Sequence, residues 1–451
     1  MLKRDLTVGD EKQILISQTL PMLWGLIAVM SVTIVDTFYL GLLGTHALAA
    51  MGFIFPVVMF MNSLSFGIGT GASSVIARAI GSKQEDWVRS YSTQSIVLAL
   101  LVAIVFAAIG LLTVDPLFKL LGAPDELLPY IHDYIDIWYW GCFMVVVPMV
   151  GNAGIRAAGN TKLPSYIMTS IGLINLLVAP VLIFGLLGFP RLELKGAAIA
   201  GIVSYFGALV AALYVLYFKL HFISLKALVT QVWPSWMGIL RIAVPAAGTN
   251  LISPLSIGLT TGLVAAYGSE AVAGYSVASR IEALGLMLVM ALASTLAPFA
   301  GQNWGAKKIA RLRRALNLSF YFVWGLGLMM AVFFWLAAEP LTHLFTTHEA
   351  AVQASVTYLH IVPITYALLS TVMIVSSMAN GIGRPLPALI MTVARLLIIY
   401  LPLAWLLSKT WGLNGIYIAT AIANTLVGFG AWYWSTHTCK RGAAAAAVVP
   451  A

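Results

Sequence analysis

The chain has 451 residues, of which 61% are hydrophobic and only 9% charged, with 25 Lys and Arg against 16 Asp and Glu. Its mean hydropathy is +0.95. A soluble domain is about a quarter charged, so this composition excludes a water-soluble catalyst and fits a polytopic membrane protein that satisfies its backbone internally.

The apolar runs are long and hydrophobic on all sides, which favours helices over the short alternating strands of a barrel. Twelve spans are expected. The first, 14–40, contains Asp36, the one formal charge between Lys12 and Arg78. A carboxylate in such a run is costly to keep ionised and marks an ion or proton pathway. It lies ~33 Å along the span at 1.5 Å per residue, in the outer half. Thr33 and Tyr39 share its helical face at i−3 and i+3 and are candidate hydrogen-bond partners. Pro21 in the same helix lacks an N–H and weakens the first turns, as a static kink or as a hinge.

The second span, 48–78, carries the run Gly67-Ile68-Gly69-Thr70-Gly71, which reads as close helix packing rather than a phosphate loop. Spans at 92–114 and 130–157 follow, the latter with the amide Asn152 as a supporting or substrate-cavity candidate. Asn175 is a mid-span amide in the fifth span, 164–187, and the sixth covers 195–218. Residues 219–238 form a cytoplasmic linker, either plain or an amphipathic interfacial helix. The remaining spans are 239–266, 272–304, 315–338, 353–381, 387–408 and 413–436. Arg280 and Glu282 stand at i,i+2 and do not face each other, so each needs another partner, Arg395 among the candidates. The tail, 438–451, reads as disordered. No cleavable signal peptide is evident, and Cys142 and Cys439 imply neither a disulfide nor a metal site.

The net charge of +9 follows topology rather than a nucleic-acid surface. Nineteen basic residues fall in loops on the N-terminal side and four on the other. That asymmetry places both termini in the cytoplasm.

Shifted by 224 residues, the chain matches itself: Pro21 falls on Pro245, Gly44 on Gly268, Lys83 on Lys307 and Tyr134 on Tyr358. With the offset one shorter, Ile167-Met168-Thr169 falls on Ile390-Met391-Thr392, and later still Gly196 falls on Gly415. The fold class is therefore an all-α bundle of two six-helix lobes, 1–218 and 239–437. An even span count makes the repeats parallel, with a pseudo-two-fold axis along the membrane normal. Asp36 falls on Thr260, which places the acid in one lobe only.

At several stretches the chain resembles the multidrug and toxic compound extrusion (MATE) transporters. These are Val35-Asp36-Thr37 with Leu40-Gly41, Gly44 to Ala50, Arg156 to Lys162, Lys195 to Ala198, and Ala297 to Ala306. Ser279-Arg280-Ile281-Glu282 and the single first-span aspartate resemble the DNA-damage-inducible (DinF-type) branch. The resemblance implies two lobes around a cleft, export of cationic or amphipathic compounds, and coupling to H⁺ or Na⁺ entry. It implies that Asp36 is the coupling residue and Asn175 its neighbour. Archaeal relatives carry a second aspartate where this chain has Ala179, which removes a paired-carboxylate mechanism.

The expected function is a secondary multidrug exporter of the bacterial cytoplasmic (inner) membrane, not an enzyme, with H⁺ favoured as coupling ion and Na⁺ left open. No cofactor, no nucleic acid and a monomer surrounded by lipid are expected. The alternative cargo is a lipid-linked oligosaccharide, but such flippases have a cationic cavity, and only Arg280 and Arg395 fall inside spans here.

Overall fold

The computed structural model describes the backbone of residues 4–448 and the side chains of residues 4–441. Long apolar runs become helices because hydrocarbon offers no partner to a free N–H or C=O. The helices are α1 (Glu11–Gly41), α2 (Thr45–Gly81), α3 (Glu85–Leu112), α4 (Val114–Leu120), α5 (Leu128–Ala157), α6 (Lys162–Phe184), α7 (Glu193–Tyr214), α8 (Val232–Ala265), α9 (Ser269–Gly305), α10 (Ile309–His343), α11 (Glu349–Ile361), α12 (Tyr366–Gly381), α13 (Leu386–Val393) and α14 (Leu401–Val448). No strand occurs among the described residues.

Eleven stretches of the described residues are long and apolar enough to cross a bilayer, and the last, Leu386–Arg441, is 56 residues long. It is two spans. Gly412 (φ 57°, ψ −138°) breaks α14, in a conformation that only glycine adopts without strain. The fold is thus the expected twelve-span bundle. α4 is a short helix between the third and fourth spans. α11 and α12 make one span, joined by a 3₁₀ turn at Val362–Thr365. A π-helical stretch, Ala394–Tyr400, links α13 to α14.

Within 219–238 the structure holds a 3₁₀ turn, Lys226–Leu228, and then the start of α8 at Val232. Pro234 falls in the first turn of α8, where its missing N–H has no intrahelical acceptor to lose. At the other end α14 runs through the alanine tract to Val448, as alanine's helix propensity favours. Residues 449–451 of the expected tail lie outside the described residues.

The duplication is written into the backbone. Gly44 and Gly268 have φ of 108° and 104°, Lys83 and Lys307 of 58° and 56°, and Gly159 and Gly383 of 80° each. Every pair is separated by the same 224 residues. Matching sequence therefore produces matching turns, including a left-handed lysine after α2 and α9.

The chain divides into one unit of Met1–Asp5 with Leu20–Ala247 and another of Leu6–Thr19 with Gly248–Ala451. The divisions fall inside α1, just before Pro21, and inside α8, just after Pro245. In the first unit, Gly67 and Gly71 let α2 lie against the start of α8. A Cβ at either would come within 2.6 Å of the carbonyl oxygens of Ala243 and Ile239 respectively. Lipid gives helices no hydrophobic reason to associate, so close van der Waals approach of this kind carries much of the cohesion.

In the second unit, the segment 6–19 is held by α9 and α10. Gln302 Oε1 accepts from the Leu6 N–H at 2.9 Å, and Asn303 Nδ2 donates to the Leu6 carbonyl at 3.1 Å. Lys308 Nζ donates to the Thr7 carbonyl, Arg311 to that of Gly9, and Arg314 pairs with Glu11 at 2.8 Å. Gln302 and Asn303 belong to the Ala297–Ala306 stretch singled out in the sequence.

Candidate functional site

Within the first unit, α1 and α6 run side by side. Ser165 donates to the Pro21 carbonyl. A Cβ on Gly25 would meet Ser165 Cα at 3.2 Å, and one on Gly172 would meet Val32 at 2.7 Å. These small residues draw the two helices together along their length. Further along the same line of contact, Asn175 Nδ2 donates to Asp36 Oδ1 at 2.6 Å. Asn175 is buried and Asp36 partly so.

The pair faces a cavity of about 290 Å³ walled by α1, α2, α5, α6 and α7. Its polar lining includes Thr33, Thr37, Asn62, Tyr134, Ser204 and Tyr205, and among the described residues no Lys, Arg or His lines it. The carboxylate of Asp36 therefore has no cationic side chain to balance it inside the cavity. The Tyr134 and Tyr205 side chains lie within electrostatic reach of it. Ala179 also lines the cavity, as apolar wall one helical turn beyond Asn175. A partly buried carboxylate with one amide donor and no cationic partner gains from taking up a proton or a cationic group.

The structure brings some candidates together and separates others. Thr33 lines the cavity, but its hydroxyl donates to the Val29 carbonyl at 3.1 Å rather than to Asp36. Tyr39 is not in the lining. Its ring packs edge-on against Phe184 at 6.0 Å, beside Ala179 and Ile183. Asn152 is buried in α5 and is not in the cavity lining, and its Oδ1 has no hydrogen-bond partner among the described residues. Pro21 sits near the start of the α1–α6 contact.

Polar lining residues that sequence reasoning did not place at the site are Thr37, Asn62, Tyr134, Ser204 and Tyr205. Asn62 reads in the sequence as one more amide between helices. Tyr134 carried a signal, since it is one of the positions kept across the duplication, at Tyr358.

In the second unit, Glu282 accepts hydrogen bonds from the hydroxyls of Tyr358 and Tyr366, the latter at 3.1 Å. Arg395 Nη1 donates to Asn424 Oδ1 at 3.1 Å, and Asn424 donates to Thr365. Arg280 is exposed. A membrane-embedded acid is thus present in both units, although the position equivalent to Asp36 is Thr260.

The family model MatE matches the chain twice, at residues 21–181 and 245–406. The two matches begin at Pro21 and Pro245 and reproduce the duplication. A protein of Shewanella oneidensis named as an FAD transporter is 36% identical over 429 residues, covering 95% of each chain. A probable multidrug resistance protein, NorM, of Thermotoga maritima is 26% identical over 91% of this chain and 89% of its own. The crystal structure of the Vibrio cholerae MATE transporter VcmN in the bent form has a TM-score of 0.91 and 30% identity, covering 96% of this chain and 98% of that one. Both halves of the sequence and the twelve-span bundle are accounted for together: the chain belongs to the MATE family of membrane transporters and is not an enzyme.

Proposed function

We propose that the chain is a secondary exporter of the bacterial cytoplasmic membrane, with both termini in the cytoplasm, driven by proton entry through Asp36. The observation that carries this reading is the Asp36–Asn175 hydrogen bond of 2.6 Å inside a cavity with no basic residue in its lining. Ionised, Asp36 holds the Asn175 amide and a positively charged or donor-rich part of the cargo. Protonation from the outside removes that charge, weakens both interactions and releases the cargo outward. One site that takes either a proton or cargo gives exchange without further machinery. The proton is favoured over Na⁺ because one carboxylate, Asp36, lines the cavity and a single proton neutralises it.

The cargo we infer is an amphipathic small molecule, drugs among them. A second cargo is favoured by the 36% identity to a protein named as an FAD transporter, against 26% for the NorM relative. That cargo is a flavin dinucleotide. The test is accumulation in everted vesicles, offering an amphipathic dye cation and FAD in turn, under an imposed pH gradient or an imposed Na⁺ gradient. Accumulation of either cargo under the pH gradient supports the reading. A response to Na⁺ alone overturns the proton assignment, and no response under either gradient overturns export.

A further inference from the structure

The second unit holds a half-open cavity of about 180 Å³. The duplication accounts for its position. At the 224-residue offset Asp36, Met51, Val58 and Tyr134 of the first cavity become Thr260, Tyr275, Glu282 and Tyr358 of the second. With the offset one shorter, Gly172 becomes Arg395. The second cavity has therefore lost the acid of the first helix and gained a carboxylate and a guanidinium from other helices.

The two charges do not neutralise each other by direct contact. Among the described residues Glu282 is bonded by two tyrosine hydroxyls and Arg395 by the Asn424 amide, with no ion pair between them. Arg395 Nε is buried and has no acceptor among the described residues. Arg395 also stands on the π-helical stretch Ala394–Tyr400, an irregularity often found where a helix serves a site.

This arrangement selects its ligand by charge. One carboxylate and one guanidinium leave the cavity balanced. A cation would face Arg395 and an anion would face Glu282, and either would add a net charge where solvation is poor. A neutral group that offers an N–H to Glu282 and a carbonyl to Arg395 satisfies both. The rings of Tyr275, Tyr358 and Tyr400 line the same space, and aromatic walls favour a planar ring. We propose that this cavity binds the neutral imide edge, carbonyl–N–H–carbonyl, of a planar heteroaromatic ring. It would serve as a subsite for cargo and so rests on the exporter reading.

The experiment is a fluorescence titration of the purified full-length protein with lumiflavin and with its N3-methyl analogue, which keeps both carbonyls but lacks the imide N–H. The wild type is expected to bind lumiflavin at least about tenfold more tightly, the scale of one lost hydrogen bond to a charged acceptor. In Glu282→Leu the preference is expected to fall to near unity. Should that variant fail to fold, Glu282→Gln is expected to shrink the preference. Equal binding of the two ligands by the wild type, or no binding of lumiflavin, overturns the proposal. The exporter reading fails separately, through the vesicle experiment with the dye cation.

Discussion

Asn175 donates its side-chain N–H to Asp36 Oδ1 at 2.6 Å across 139 residues of sequence, joining α6 to the C-terminal half of α1. The bond is the point where the packing of two helices becomes chemistry. Below it, Ser165, Gly25 and Gly172 hold the helices close enough for the two side chains to meet.

Asp36→Asn keeps the shape of the side chain and removes its titration. Efflux is expected to vanish in this variant while expression and thermal stability stay near wild type. Asp36→Glu keeps the proton-binding group and is expected to retain part of the activity. Drug-resistance assays with quantified membrane expression decide it, and normal efflux by Asp36→Asn would end the coupling role.

Asn175→Ala removes a hydrogen bond to a charged group, an interaction of about 1.5–3 kcal/mol. Efflux is expected to fall by roughly 10- to 100-fold, since each 1.4 kcal/mol is a factor of ten. Initial rates in vesicles measure this. An unchanged rate would show that the bond has no part in transport.

The glycine run in α2 makes a prediction with an internal control. A Cβ at Gly67 or Gly71 meets a backbone carbonyl of α8 at 2.6 Å, whereas one at Gly69 meets Ala153 Cβ at 3.4 Å. Gly67→Val and Gly71→Val are expected to destabilise the protein by about 1–3 kcal/mol, as overpacking does, and Gly69→Ala to be tolerated. Thermal midpoints in detergent compare the three. Equal losses at all positions would mean that α2 does not lie against α8 in this way.

Glu11 is 12% exposed and binds Arg314, 61% exposed, at 2.8 Å, with Arg311 Nη1 at 3.5 Å. Because Arg314 is largely in solvent, the Glu11–Arg314 coupling in a double-mutant cycle is expected to be only about 0.5–1 kcal/mol. Glu11→Ala alone is expected to cost more than Arg314→Ala, since it also strips Arg311, 15% exposed, of its carboxylate. The opposite order would place the main interaction elsewhere.

Much of the fold was legible before any coordinates. Hydropathy is a local property, so the spans follow from it, and the 224-residue repeat fixes six helices in each half. The isolation of Asp36 in an apolar run marked it as the candidate coupling acid. Where the reading went astray, the cause was rotation about a helix axis. Tyr39 is three residues from Asp36 and was expected beside it, yet its ring turns to Phe184. Asn62 and Asn152 look alike in sequence, but only Asn62 reaches the cavity.

Sequence by itself determined that this is a duplicated twelve-span bundle with a costly carboxylate in its first helix. Charge, apolar length and repetition are carried by the order of residues alone. Only the tertiary structure decided which further side chains meet: Asn62, Tyr134 and Tyr205 around the cavity of Asp36 and Asn175, and Glu282 and Arg395 around a second cavity at equivalent positions. Such meetings depend on the depth and rotation of helices more than a hundred residues apart in the chain, and small residues such as Gly25, Gly172 and Gly67 set how closely those helices approach.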